Sequence, residues 1–193
     1  MRRIEGGGDA SMREPRAAFE TWIRRAFFSH GAWLASRYGL TPEDLIAQAQ
    51  SSPMPPALGV PRRPEGIEDL LVAAGCCRNH PQAWIDAAEI LEPLLVRASR
   101  MRLSESDAIV FARRFWTSLR ERTEARATGA PTSEGPAMQD YPPNRPLRNW
   151  LVDRLSGSIE SAMRAERLPN GRRISVDSAE RLRRPLQLAD SGT

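Results

Sequence analysis

Apolar residues recur at intervals of three and four through most of this chain, and almost nowhere do they alternate one by one. Helices need the first pattern and half-buried strands the second. The chain is thereby restricted to an all-α fold whose boundaries are set by proline, glycine and capping residues. Residues 16–38 carry Phe19, Trp22, Ile23, Ala26, Phe27, Trp33, Leu34 and Tyr38 at roughly helical spacing, with Gly31 as a weak point. Gly39 is a natural stop. Thr41-Pro42-Glu43-Asp44 then reads as an N-cap, a proline at the first helical position and acids in the first turn. Leu45, Ile46 and Ala49 continue that helix, so 16–51 is a helical hairpin, and residues 1–15 before it are expected to be disordered.

Residues 51–66 contain five prolines and two glycines, which makes 52–66 a linker between the hairpin and the later helices. A helix from Ile67 to about Arg78 places Leu70, Leu71, Ala74 and Cys77 on one face. Pro81 restarts the chain. Trp84, Ala87, Ala88, Leu91, Leu94, Leu95, Ala98 and Met101 form the next apolar stripe, which Pro93 should kink or divide. Ser104-Glu105-Ser106-Asp107 has the form of a capping box opening a helix to about Thr123, with Ala108, Phe111, Ala112, Phe115 and Leu119 inward. Residues 124–143, polar and rich in Gly, Pro and Thr, read as a mobile loop. A last helix from about Arg145 to Arg167 turns Leu147, Leu151, Leu155, Ile159 and Ala162 inward, and 169–193 is a basic tail.

Composition narrows the function classes. The 193 residues include 28 basic ones, every one an arginine, against 24 acidic ones. The net charge of +4 is too small for a histone-like nucleic-acid packer, though it permits phosphate contacts. No apolar run approaches the ~18 residues of a membrane span, and MRRIEGGGDASM lacks the apolar segment of a secretory signal. Cys76 and Cys77 are adjacent and poorly placed to bridge each other, which fits a reducing cytoplasm. Cys76, Cys77 and His80 make a poor zinc cage, and His30 lies far away, so no metal and no cofactor is expected. With no phosphate-binding glycine loop, no nucleophile elbow and no catalytic constellation, the sequence argues against an enzyme.

The order of the segments from Ile67 to Arg167 resembles region 2 of the extracytoplasmic-function (ECF) sigma factors, bacterial subunits that guide RNA polymerase to promoters. The resemblance starts with IEDLLVAAGCCRNHPQAWIDAAEILEPLLVRAS, similar to the family's Leu-rich helix, turn and second helix, with Asn79-His80 where Gly-Asp is usual. It continues through the capped helix from Ser104 to Leu119, and DYPPNRPLRNWLVDRL is similar to the start of the family's promoter-reading helix. It implies a region 2-like helical domain over 67–168 that meets core RNA polymerase and promoter DNA. The capped helix then offers Glu105, Asp107, Arg113 and Arg114 to polymerase. In the stretch where the family has Gln and Glu, this chain has Ala112, Arg113 and Arg114. Gly157 stands where the family favours Asn. No paired-helix pattern follows Arg167, so the family's region 4 helix-turn-helix has no counterpart.

The last helix supports a nucleic-acid reading on its own chemistry. Arg145, Arg148, Asn149, Arg154, Arg164 and Arg167 place guanidiniums and an amide around it, with Arg172 and Arg173 just beyond. Guanidiniums suit phosphates, and Trp150 is either a platform for an unstacked base or, as is commoner for such a residue, core. All ten arginines after position 126 fall between 145 and 184, beside only five acids. The alternative is a region 2 fold that has lost promoter function and binds a regulatory protein through Phe19, Trp22 and Phe27 of the hairpin.

Overall fold

A computed structural model describes residues 10–51 and 66–166, and every regular element among them is helical. The fold is all-α. The first helix is α1 (Ala10–Ala26), which passes through a π-turn (Phe27–Gly31) into α2 (Ala32–Tyr38). Helical backbone thus begins at Ala10, six residues ahead of the expected start. Gly39 ends α2 with φ +62°, and Leu40 N–H bonds to the Ala35 carbonyl at 2.9 Å. That left-handed cap favours glycine, the only residue type without a Cβ to clash there. α3 (Pro42–Ser51) opens with a reciprocal cap: Thr41 N–H donates to Asp44 Oδ2 at 2.8 Å, and Asp44 N–H to Thr41 Oγ1 at 3.3 Å.

α4 (Gly66–Cys77) and α5 (Pro81–Ser99) form an antiparallel pair joined at Asn79. Asn79 adopts φ +53°, while Asn79 N–H reaches the Cys76 carbonyl and His80 N–H the Gly75 carbonyl, both at 2.9 Å. Asparagine is the commonest substitute for glycine at such a left-handed cap, which is why Asn79 can form this turn. Pro93 does not divide α5. The helix runs unbroken past it, with the proline ring exposed.

α6 (Glu105–Thr128) is capped by Ser104, which accepts the Asp107 N–H, and stopped by Gly129 at φ +71°. Its last turn therefore takes in residues expected to belong to the loop. The remainder of that segment is tied down rather than free of structure. Buried Thr123 accepts Met138 N–H at 2.9 Å through its hydroxyl and the Gln139 amide at 2.9 Å through its carbonyl. Arg122 Nε donates to the Pro136 carbonyl at 2.8 Å, and Arg126 pairs with Asp140. These bonds fold Met138–Asp140 into a 3₁₀ turn with Met138 wholly buried. α7 (Leu147–Glu166) is the last described helix.

The chain divides into two compact units, Met1–Ser156 and Gly157–Thr193, with the division inside α7. In the first unit the hairpin packs directly on the later helices, and the linker expected over 52–66 lies, apart from Gly66, outside the described residues. α2, the π-turn and α3 all pack on α4, which also packs on α5 and α6. α4 is accordingly apolar almost all round, with Ile67, Leu70, Leu71, Ala74 and Cys76 at 2% exposure or less. Glycine makes the closest approaches possible. A Cβ on Gly31 would lie 2.8 Å from Leu71 Cδ1, so the weak point in the first helix is where it presses on α4. In the second unit, the described residues are the C-terminal part of α7, where Ile159 is buried.

Candidate nucleic-acid interface

Two residues outside the basic segment hold the start of α7. Asp69 of α4 accepts the Leu147 N–H at 3.0 Å through its carboxylate. A carboxylate at a helix N-terminus satisfies an orphan donor and complements the dipole. Burial pushes the Asp69 carboxyl above its ordinary value, against the opposing pull of the Leu147 N–H and Arg148. Tyr141 is the second anchor. Its hydroxyl donates to the Arg145 carbonyl at 2.7 Å, and its ring meets Trp150 edge-on at 5.7 Å. Burial pushes the Tyr141 phenol well up, so it stays a protonated donor.

This framework separates the expected site residues. Arg148 and Asn149 are exposed on the first turn of α7. Arg148 makes no hydrogen bond among the described residues. Arg145 is half-buried and its guanidinium pairs with Asp153, which neutralises much of its field. Arg154 is exposed with its guanidinium 5.8 Å from the Trp150 ring centroid. Trp150 itself is 1% exposed, so it is a core residue and cannot serve as a base platform. In the second unit Arg164 is exposed, 3.9 Å from Glu160. Arg167, Arg172 and Arg173 lie outside the described residues.

The residues assigned to polymerase are all exposed on α6 but do not stand alone. Glu105 pairs with Arg100 at 2.7 Å, and Arg113 with Glu92 of α5 at 3.1 Å. Asp107 accepts the Ser104 hydroxyl at 2.6 Å, which spends one of its oxygens on the cap. Asp107, Val110 and Arg114, at i, i+3 and i+7, share an outward stripe of the helix.

The aromatic surface assigned to the hairpin needs correction. Phe19 and Phe27 are 1% and 7% exposed, because they face α1's neighbours rather than water, and Trp22 is half-buried on the Phe19 ring. Phe28 and Trp33 are the exposed aromatics of this segment instead. Spacing also misplaced Leu94 and Met101, which are exposed. The sequence offered no signal for Asp69, since an acid in the first turn of α4 is already explained by that helix's own dipole.

Among the described residues no three His, Cys, Asp or Glu side chains are grouped to hold a metal ion. Cys76 and Cys77 are free and buried; burial holds Cys76 well above the ordinary thiol value and pushes Cys77 up to about 12. No described helix is long and apolar enough to cross a membrane. No family model matches the chain, and no curated protein or solved structure matches it.

Proposed function

We propose that this chain is a sigma-factor-like DNA-binding protein of bacterial transcription initiation, meeting the −10 promoter element through the first turn of α7 and core RNA polymerase through α6. One observation carries the DNA half: an exposed guanidinium without a hydrogen bond among the described residues, Arg148, stands beside the exposed amide of Asn149 on a helix start held by Asp69 and Tyr141. A guanidinium suits phosphate oxygens and an amide suits base edges. Anchoring both on a rigid turn lowers the entropy lost on binding. With Trp150 in the core, base stacking on that ring is no part of the reading. The outward stripe of Asp107 and Arg114 supports the polymerase half.

The test is a salt titration of binding to single-stranded and duplex DNA carrying a −10-like sequence. Arg148→Ala with Asn149→Ala is expected to weaken binding at least tenfold. It should also flatten the salt slope by about 0.7 on the single strand for the lost phosphate contact. Unchanged affinity and slope reject the DNA assignment. Co-elution with core polymerase, lost on Asp107→Arg with Arg114→Glu, tests the other half.

A further inference from the structure

α7 carries Ser156-Gly157-Ser158 at the middle of its 20 residues. Serine is a modest helix former, and glycine is the poorest after proline. A glycine inside a helix ordinarily has one of two structural reasons, a left-handed φ or a neighbour pressed against its backbone. Gly157 has neither. Among the described residues, positive φ values belong to Gly39, Asn79, Gly129 and Gly135. A Cβ on Gly31 would come within 2.8 Å of Leu71, and one on Gly75 within 2.6 Å of Ala83, whereas one on Gly157 would meet nothing within 4 Å. Alanine would therefore fit at 157 and hold the helix better. What glycine supplies there is a weak link in the backbone.

Packing changes at the same place. Before the link, Leu147, Trp150, Leu151 and Leu155 are all at 1% exposure or less, and Asp69 and Tyr141 hold the first turn. After it, from Ser158 to Arg164, Ile159 is the one buried side chain, while Glu160, Ser161 and Arg164 are exposed. The boundary between the two compact units falls between Ser156 and Gly157. The ion pairs respect it as well: Arg145–Asp153 lies wholly before the link and Glu160–Arg164 wholly after, so neither staples it. Segments with few buried apolar contacts open at lower free energy than the core, and helices bend most readily at Gly/Ser pairs.

We propose that Ser156–Ser158 is a joint in α7, at which the C-terminal half of the helix opens and re-forms while the N-terminal half stays docked. The device is an order–disorder transition confined to one end of a continuous helix. Arg148 and Asn149 sit on the docked half and keep their geometry in both states. Arg164 sits on the half that opens. The joint follows from the backbone and packing alone, so it stands whether or not the first turn of α7 binds DNA.

Hydrogen exchange of the full chain, read amide by amide at increasing urea concentrations below the unfolding transition, provides the test. Amides of Leu151–Leu155 are expected to exchange through a urea-dependent global opening. Those of Ile159–Arg164 should exchange faster, through an opening nearly insensitive to urea, with the step in protection falling across 156–158. Gly157→Ala, for which there is room, should slow exchange of the second group about fivefold, the ratio set by the helix propensities of alanine and glycine. The proposal is overturned if protection declines smoothly toward Glu166, as in a helix that merely frays. It is equally overturned if both groups exchange through one urea-dependent opening, or if Gly157→Ala leaves exchange of Ile159–Arg164 unchanged. No DNA enters this measurement, so a failure of the DNA assignment leaves its outcome untouched.

Discussion

The Asp69 carboxylate receives the Leu147 N–H at 3.0 Å across 78 residues of chain, and so fixes where α7 begins relative to α4. Asp69→Ala removes the acceptor and leaves a half-buried donor without a partner, at an expected cost of about 1–2 kcal/mol in chemical denaturation. Asp69→Asn keeps an oxygen acceptor and should cost less. The two differ from the parent in pH dependence as well. Burial raises the native Asp69 value, so the folded state binds this proton more tightly than the unfolded state. The resulting contribution is fully present below the ordinary carboxylate value of 3.8 and is lost as pH rises through the higher native value. Stability measured across that window should decline less in Asp69→Asn than in the parent. An unchanged pH profile would show that Asp69 is not the titrating group.

Asp86 works in the opposite sense. Burial pushes its carboxyl up, but Gln82, Tyr38 and Arg37 outweigh that and hold it below the ordinary value of 3.8. A depressed native value contributes stability that is present above 3.8 and lost as pH falls through the native value. Acid unfolding of Asp86→Asn, followed by circular dichroism, should therefore be less steep in that window. A profile superimposing on the parent's would exclude the Tyr38–Arg37–Asp86 cluster as an acid-sensitive support.

Gly75 is the tightest helix crossing. A Cβ there would lie 2.6 Å from the Ala83 Cβ and 3.1 Å from the Tyr38 ring. In an isolated helix Gly→Ala is favourable by about 0.8–1.0 kcal/mol. In this protein overpacking should win, and Gly75→Ala is expected to destabilise by about 1–3 kcal/mol net. Ala83→Gly in the same chain should recover part of the loss, since it removes the nearer clash. Additive effects in the double-mutant cycle would disprove the contact.

The two thiols offer a simple probe of integrity. With Cys77 pushed up to about 12 and Cys76 also raised by burial, native protein at pH 8 should react with a disulfide reagent only through opening. Labelling of both cysteines is expected to follow the unfolding transition in denaturant. Rapid stoichiometric labelling without denaturant would contradict the burial.

Helix positions were legible in the sequence because their signals are local. Gly39, Thr41-Pro42 and Ser104 act on groups three or four residues away, and they cap the helices where the sequence places them. The same locality explains the misreadings. Trp33, Leu94 and Met101 occupy apolar positions by spacing, yet no neighbouring helix covers them. Residues 124–143 read as loop because Thr123 organises them through bonds 15 and 16 positions away. Trp150 could be platform or core on sequence grounds, and the Tyr141 ring and 1% exposure make it core.

The arginines show the same division. Their number and their crowding between 145 and 184 are plain in the amino-acid order, as is the all-α character of the chain. Which guanidiniums remain available is not, because ion pairing depends on carboxylates brought near by folding. Asp153 takes Arg145, Glu92 takes Arg113 and Glu105 takes Arg100, while Arg97 and Arg148 have no hydrogen bond or ion pair among the described residues. Periodicity and capping act within one turn of helix, so they can be read along the chain. Burial and charge pairing are set by distances between segments, and those exist only once the helices have packed.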